Sequence, residues 1–277
     1  KKNQDKALYR QAMSRGNNSS LVDKPSQPFD VSLLMRQVVQ ECCWDNGERW
    51  GDANQNELGY CSSLFTRIQA VTYSPSLSSV FNDDENLSTL EDIFTEFLES
   101  DKQVLRICSS DVSYEFYARE IIANVIGRKL LNFARREKFR NKPLLVFLDE
   151  AHNFLGKRVG SEEHSIKLNA FELIAKEGRK YGLNVCLATQ RPRDITEGVL
   201  SQMGTLLVHR LTNDKDREVV ERACGEIDKA SASFLPNLKQ GEVAMFGVNF
   251  PIPMTVQMNK PSTPPKSDGP KFRDCWS

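Results

Sequence analysis

The sequence predicts an α/β fold, with a mainly parallel sheet carrying helices on both faces and a helical segment before it. Three observations carry this. From Gln103 onward, short apolar runs rich in Val, Ile and Leu alternate with helix-length amphipathic stretches, the pattern of strand–helix–strand units. Several runs, such as Leu144 to Leu148, are apolar at every position, as expected of strands covered on both faces. With 277 residues, 39% hydrophobic and 27% charged, the chain has the apolar content for a sizeable core and is neither disordered nor fibrous in composition.

The elements follow in order. Residues 1–100 read as a helical subdomain with polar loops and no chemical motif of its own. Val31, Leu34, Val38 and Val39 recur at helical spacing, and Tyr60, Leu64, Ile68 and Val71 share a face of a helix at 58–71. Ser88 followed by Glu91 has the spacing of a capping box ahead of the stripe Leu90, Ile93, Phe94, Phe97 and Leu98. Residues 1–28 and 44–57 are polar enough for loops. The α/β core spans 101–258, with strands expected at 104–108, 144–148, 184–188, 205–211, 242–246 and 253–258. Helices are expected between them at 114–136, 162–181, 195–202 and 215–224. Four prolines after Lys260 make 259–277 an extended tail.

Lys plus Arg total 37 and Asp plus Glu total 37, so any polyanion site must be local rather than a property of the whole surface. Seven cysteines without a C-x-x-C spacing, two of them in expected strands, point to free thiols and a cytoplasmic location. No apolar run reaches the length of a membrane span, and the first residues, Lys1-Lys2-Asn3-Gln4, lead into no signal segment. The chain does not begin with Met, as expected of a piece of a longer polypeptide.

The strongest chemical signal is Leu144-Leu-Val-Phe-Leu148 running into Asp149-Glu150-Ala151-His152. A buried strand here delivers two adjacent carboxylates to its C-terminal edge, where α/β sheets place ligands. Asp149 is the candidate for holding Mg²⁺ and Glu150 for polarising the water that attacks a γ-phosphate; the plain alternative is an acidic loop after a strand. The next strand ends in Ala188-Thr189-Gln190-Arg191-Pro192. A right-handed crossover puts both strand ends on one edge, so Gln190 can lie beside Glu150 across 40 positions and sense a γ-phosphate. His152, His164 and His209 have no second ligand at metal spacing and read as solvated or hydrogen-bonded side chains.

The strings LLVFLDEAHNF, AKEGRKYGLNVCLATQRP, LLVHRLTNDKDREVV and LPNLKQGEVAMFG, in that order, resemble the HerA branch of the HerA/FtsK superfamily. The resemblance covers about Gln103 to Met258. It implies a RecA-like P-loop ATPase core with a helical insertion, binding ATP and Mg²⁺ and assembled as a homo-oligomeric ring, expected as a hexamer, that translocates double-stranded DNA. It also implies that Arg179 reaches across the subunit boundary as an arginine finger and that Arg210 lies near the nucleotide, with an ion pair to Asp214 or Asp216 as the structural alternative for Arg210. Relatives of this kind work with an effector such as a nuclease or an NAD-consuming enzyme, in DNA-end processing or antiphage defence. The alternative within the same resemblance is an ATPase-regulated scaffold that activates an effector without processive translocation.

One departure is plain: no G-x-x-x-x-G-K-[ST] string occurs in the chain, and it is expected upstream of Lys1. The basic stretch Arg128 to Lys142 carries seven cations against Glu137; it reads as a solvated helix face before a DNA contact.

Overall fold

A computed structural model describes residues 5–8, 30–74, 77, 87–160, 165–223, 233–247 and 250–263. The chain divides into two compact units, Lys1–Arg119 and Glu120–Ser277.

In the first unit, Asp30 accepts the Ser32 N–H at 2.8 Å and caps a 3₁₀ turn, Val31–Leu33, that leads into helix α1, Leu34–Glu41. Where a loop was expected there is an antiparallel hairpin, β1 Cys43–Asn46 and β2 Arg49–Ala53. Its two-residue turn starts with Gly47 at φ +79°, and Asp45 Oδ1 accepts the Gly47 N–H at 3.0 Å. A hydrogen bond from Lys6, with that from Gly47, holds the Asp45 carboxyl below the usual carboxylate range. The helix expected at 58–71 is two helices, α2 Gln55–Tyr60 and α3 Ser62–Thr72, the first capped by Asn54. Helix α4, Leu90–Glu99, is capped by Thr89 rather than Ser88: Thr89 Oγ1 accepts the Asp92 N–H at 3.2 Å and Asp92 accepts the Thr89 N–H at 3.1 Å. The box therefore closes one residue later than read, and Phe94 and Phe97 form the buried face. The apolar run 104–108 is not a strand. It has no ladder partner among the described residues, and Val104, Leu105 and Ile107 are exposed. A strand exists only where a neighbour takes its backbone hydrogen bonds.

At the junction of the units runs helix α5, Ala118–Arg135. In the second unit β3, Leu144–Leu148, follows a turn that buries Phe139 completely. A short antiparallel ladder, β4 Arg158–Val159 and β5 Ile166–Lys167, precedes helix α6, Ala170–Glu177, which continues as a 3₁₀ turn, Gly178–Tyr181. The helix expected from 162 is thus shorter, and 161–164 lie outside the described residues. Strand β6, Leu183–Leu187, then pairs in parallel with β3, from Leu144 opposite Leu183 to Leu148 opposite Leu187. Helices α5 and α6 approach closely, since a Cβ on Gly127 would stand 2.8 Å from the Ala170 Cβ, and Asn124 Oδ1 accepts the otherwise orphaned Ala170 N–H at 3.0 Å. Leu130, Leu131, Phe133, Phe171, Ile174 and Leu183 are all buried, each contributing about 1.5–3 kcal/mol relative to exposure.

The expected mainly parallel sheet is one parallel pair followed by an antiparallel sheet. After the short helix α7, Glu197–Leu200, come β7 Thr205–Val208, helix α8 Asp214–Ala223, β8 Glu242–Gly247 and β9 Phe250–Gln257, with strand order β7-β8-β9. Val208, Val220, Leu235, Ala244 and Phe246 form its core. Coverage also differs from expectation. Leu148 is buried, but Leu145 and Phe147 on the other face of β3 are 51% and 72% exposed. The class is α/β as read.

Gly182 ends α6's 3₁₀ turn at φ +77°, and a Cβ there would collide with the Phe139 carbonyl oxygen. Gly182→Ala is expected to lower the unfolding free energy by about 1–3 kcal/mol in denaturant titration, the cost of forcing a side chain into the left-handed region; an unchanged midpoint would contradict this packing.

Candidate active site

Strand β3 ends at Leu148, and the chain turns at once into a 3₁₀ helix, Ala151–Asn153. The turn is made by Glu150 in the left-handed conformation, φ 47° and ψ 47°. A non-glycine residue held there costs about 1–3 kcal/mol and persists only when its neighbours fix it. They do so here. Ala151 N–H donates to Ala188 O at 2.9 Å, Ala188 N–H donates to Leu148 O at 3.0 Å, and Glu150 N–H donates to Asp149 Oδ1 at 3.0 Å. The parallel ladder therefore continues past the strand ends and sets the segment Asp149-Glu150 beside Ala188-Thr189-Gln190.

In that register Gln190 Nε2 donates to Glu150 Oε1 at 3.0 Å, across 40 positions of sequence. The other carboxylate oxygen, Oε2, is buried without a hydrogen bond, and His152 Nδ1 stands 3.3 Å from it. The same ring nitrogen lies 3.1 Å from Thr189 Oγ1, which also accepts the Arg191 N–H at 3.0 Å. Asp149 is exposed at the same edge. Beyond Gln190, the turn Pro192–Asp194 is tied to α8: Arg193 N–H donates to Asp216 Oδ1 at 3.3 Å, and Asp216 is itself buried at the helix start, where Asn213 accepts its N–H. Thr189, His152 and the Arg193–Asp216 pair are the structural additions to the site. Thr189 lies in the Ala-Thr-Gln-Arg-Pro string and His152 in the Asp-Glu-Ala-His string, but neither string by itself reveals these contacts.

Asp149, Glu150 and Gln190 are thus brought together; Arg179 and Arg210 are not. Arg179 sits in the 3₁₀ turn before β6, at the opposite edge of the parallel pair, about 16 Å away along a five-residue strand. Its side chain is exposed, and among the described residues it has no ion-pair partner, because the adjacent Glu177 is taken by Arg135 at 2.8 Å and Lys180 at 3.5 Å. Arg210 follows β7. The two aspartates weighed as its partners are held elsewhere, Asp214 by Arg217 and Asp216 by Arg193.

The basic stretch 128–142 is largely committed within the unit: Arg128 donates to Asn169 Oδ1 at 3.2 Å, Arg135 to Glu177, and Arg140 to Glu137. Among the described residues no group of three or more His, Cys, Asp or Glu side chains can hold a metal, and no helix is long and apolar enough to cross a membrane.

The fold and this edge define an α/β protein with a paired-carboxylate and amide site at the carboxyl ends of parallel strands. The chain is 33% identical over 123 residues to a probable helicase of Methanocaldococcus jannaschii, covering 44% of this chain and 23% of that protein. It is 32% identical over 116 residues to the DNA double-strand break repair helicase HerA of Pyrococcus furiosus, covering 42% and 20%. To the HerA of Sulfurisphaera tokodaii it is 24% identical over 232 residues, covering 76% and 45%. The HerA resemblance of the motifs is borne out by these relatives, of which the chain spans less than half the length. No protein-family model matches the chain. Among solved structures, VirB4 of Thermoanaerobacter pseudethanolicus aligns with TM-score 0.48 and 14% identity, covering 86% of this chain and 57% of that one.

The Arg135 hydrogen bond, with its charge and that of Lys180, holds the Glu177 carboxyl below the usual glutamate range. A carboxyl lowered in the folded state adds stability above the usual range and loses it as pH falls through the lowered value. Arg135→Ala is expected to move the Glu177 pKa up toward the usual range in side-chain NMR titration; an unmoved pKa would show that Arg135 is not its main partner.

Proposed function

We propose that this chain is part of a HerA-type ATP hydrolase that translocates double-stranded DNA as a homo-oligomeric ring. The observation that carries the reading is the Gln190–Glu150 hydrogen bond at 3.0 Å. It places an amide donor and a candidate water-activating carboxylate side by side at the ends of neighbouring parallel strands, the crevice where α/β sheets bind ligands.

The donor set fits the metal and the terminal phosphate. Mg²⁺ is held by one or two carboxylates with water and phosphate oxygens completing the shell, so the exposed Asp149 carboxylate suits it and a three-residue protein cage is not required. When bound, the ion neutralises charge on the phosphates. Glu150 accepts a proton from the attacking water through Oε1, and this requires Gln190 to release that oxygen. Gln190 then has its amide N–H free for a phosphate oxygen, so the amide that bonds Glu150 is the one that senses the phosphate. The α- and β-phosphate cradle has no counterpart string in this chain.

Arg179 acts in trans. Its guanidinium is exposed, has no ion-pair partner among the described residues and lies at the far edge of the parallel pair from Glu150, which suits a neighbouring subunit's site rather than its own. A finger of this kind accelerates P-loop enzymes by about 10³- to 10⁵-fold. Arg210 lies near the nucleotide in the same assembly. A partner effector, a nuclease or an NAD-consuming enzyme in DNA-end processing or antiphage defence, and a cytoplasmic location complete the proposal.

In the complete polypeptide, Glu150→Gln is expected to reduce ATP turnover by at least about 10²-fold with nucleotide binding retained; wild-type turnover would contradict the assignment. Mixing Arg179→Ala with Glu150→Gln subunits is expected to restore part of the activity, since a boundary with both intact groups re-forms, and no recovery at any ratio would place Arg179 outside the site. DNA-stimulated turnover without a partner supports the motor. Turnover that answers only to an effector would support a scaffold.

A further inference from the structure

His152 takes no part in the proposed hydrolysis, yet its side chain is largely buried and lies against both strand ends. Its side chain is 13% exposed. Its Nδ1 stands 3.1 Å from Thr189 Oγ1 and 3.3 Å from Glu150 Oε2, and that oxygen is buried with no hydrogen bond of its own. A carboxylate oxygen so placed repels a ring nitrogen lone pair and attracts an N–H, so the tautomer carrying the proton on Nδ1 is the one the surroundings favour. Thr189 Oγ1 is anchored in turn by the Arg191 N–H.

We propose that His152 is a positioning residue for the reaction: it clamps the Oε2 edge of the Glu150 carboxylate against the Thr189 end of β6, so that only Oε1 turns toward the reacting water. The proposal rests on the ATP-hydrolase reading above. It explains why the carboxylate stays fixed when Gln190 leaves Oε1. Gln190 must release its oxygen for the reaction, whereas the His152 ring stands against the other throughout. Without the imidazole, the carboxylate is tethered solely through the left-handed Glu150 backbone and rotates about its side-chain bonds. Misplacement of a reacting group by about 1 Å is enough to cost on the order of 100-fold in rate without loss of substrate binding. The proposal also separates this histidine from metal ligation, for which it has no companion ligand among the described residues.

The test uses the complete polypeptide, with ATP turnover and ATP binding measured for His152→Ala, His152→Asn and His152→Gln, and Glu150→Gln alongside. Asn carries a nitrogen donor where Nδ1 sits; Gln carries it one bond further out. His152→Ala is expected to lower kcat by about 10- to 100-fold with KM for ATP changed less than about twofold, and His152→Asn to recover much of the loss while His152→Gln does not. A purely structural histidine would give no Asn-selective rescue and no split between kcat and KM. Should His152→Ala fail to fold, the Asn and Gln variants decide the matter by themselves, higher kcat for Asn supporting the clamp and equal values overturning it. Wild-type kcat in His152→Ala beside an inactive Glu150→Gln overturns the clamp but leaves the hydrolase reading standing. An active Glu150→Gln overturns both.

Discussion

The in-register parallel pairing of β3 with β6 is the constraint on which the site depends. Because Leu148 lies opposite Leu187, the residues that follow each strand are also neighbours, and the backbone bonds from Ala151 to Ala188 and from Ala188 to Leu148 carry the pairing one position beyond β6 and three beyond β3. A slip of one residue would turn Gln190 to the other side of the sheet and break its bond to Glu150. The buried faces of α5 and α6, the close approach at Gly127 and the left-handed stop at Gly182 all serve to hold that register.

The local chemistry then follows from strain and from satisfaction of polar atoms. Glu150 accepts an unfavourable backbone conformation, and its carboxylate takes a hydrogen bond from Gln190 at one oxygen while the His152 ring stands 3.3 Å from the other. Of its two oxygens only Oε1 is hydrogen-bonded, while Oε2 is buried beside the imidazole, and Asp149 is exposed at the same edge.

Much of this was legible in the sequence because it depends on long apolar runs and on residues directly after them. The bounds of β3 were read to the residue, β6 to within one, and Asp149, Glu150 and Gln190 were grouped by the crossover argument alone. What could not be read depended on partners remote in sequence or on one-residue choices. The run 104–108 has strand composition but no neighbour to pair with among the described residues. The hairpin at 43–53 was hidden by its polar composition, although Asn46-Gly47 is a hairpin-turn dipeptide. The cap of α4 moved from Ser88 to Thr89 because a hydroxyl and an acid three apart occur twice in overlapping positions. His152 reads from spacing as a solvated or hydrogen-bonded side chain, and its contact with Thr189, 37 positions away, is a product of the strand register.

The proposed phosphate sensor rests on the Glu150–Gln190 bond exchanging for one from Gln190 to the terminal phosphate. A structure of the complete polypeptide with a non-hydrolysable ATP analogue and Mg²⁺ tests it most directly. The account predicts Gln190 Nε2 within hydrogen-bond distance of the terminal phosphate and away from Glu150 Oε1, with Glu150 Oε2 still against His152. An analogue bound with the Gln190–Glu150 bond intact, or bound away from the β3–β6 edge, would contradict it.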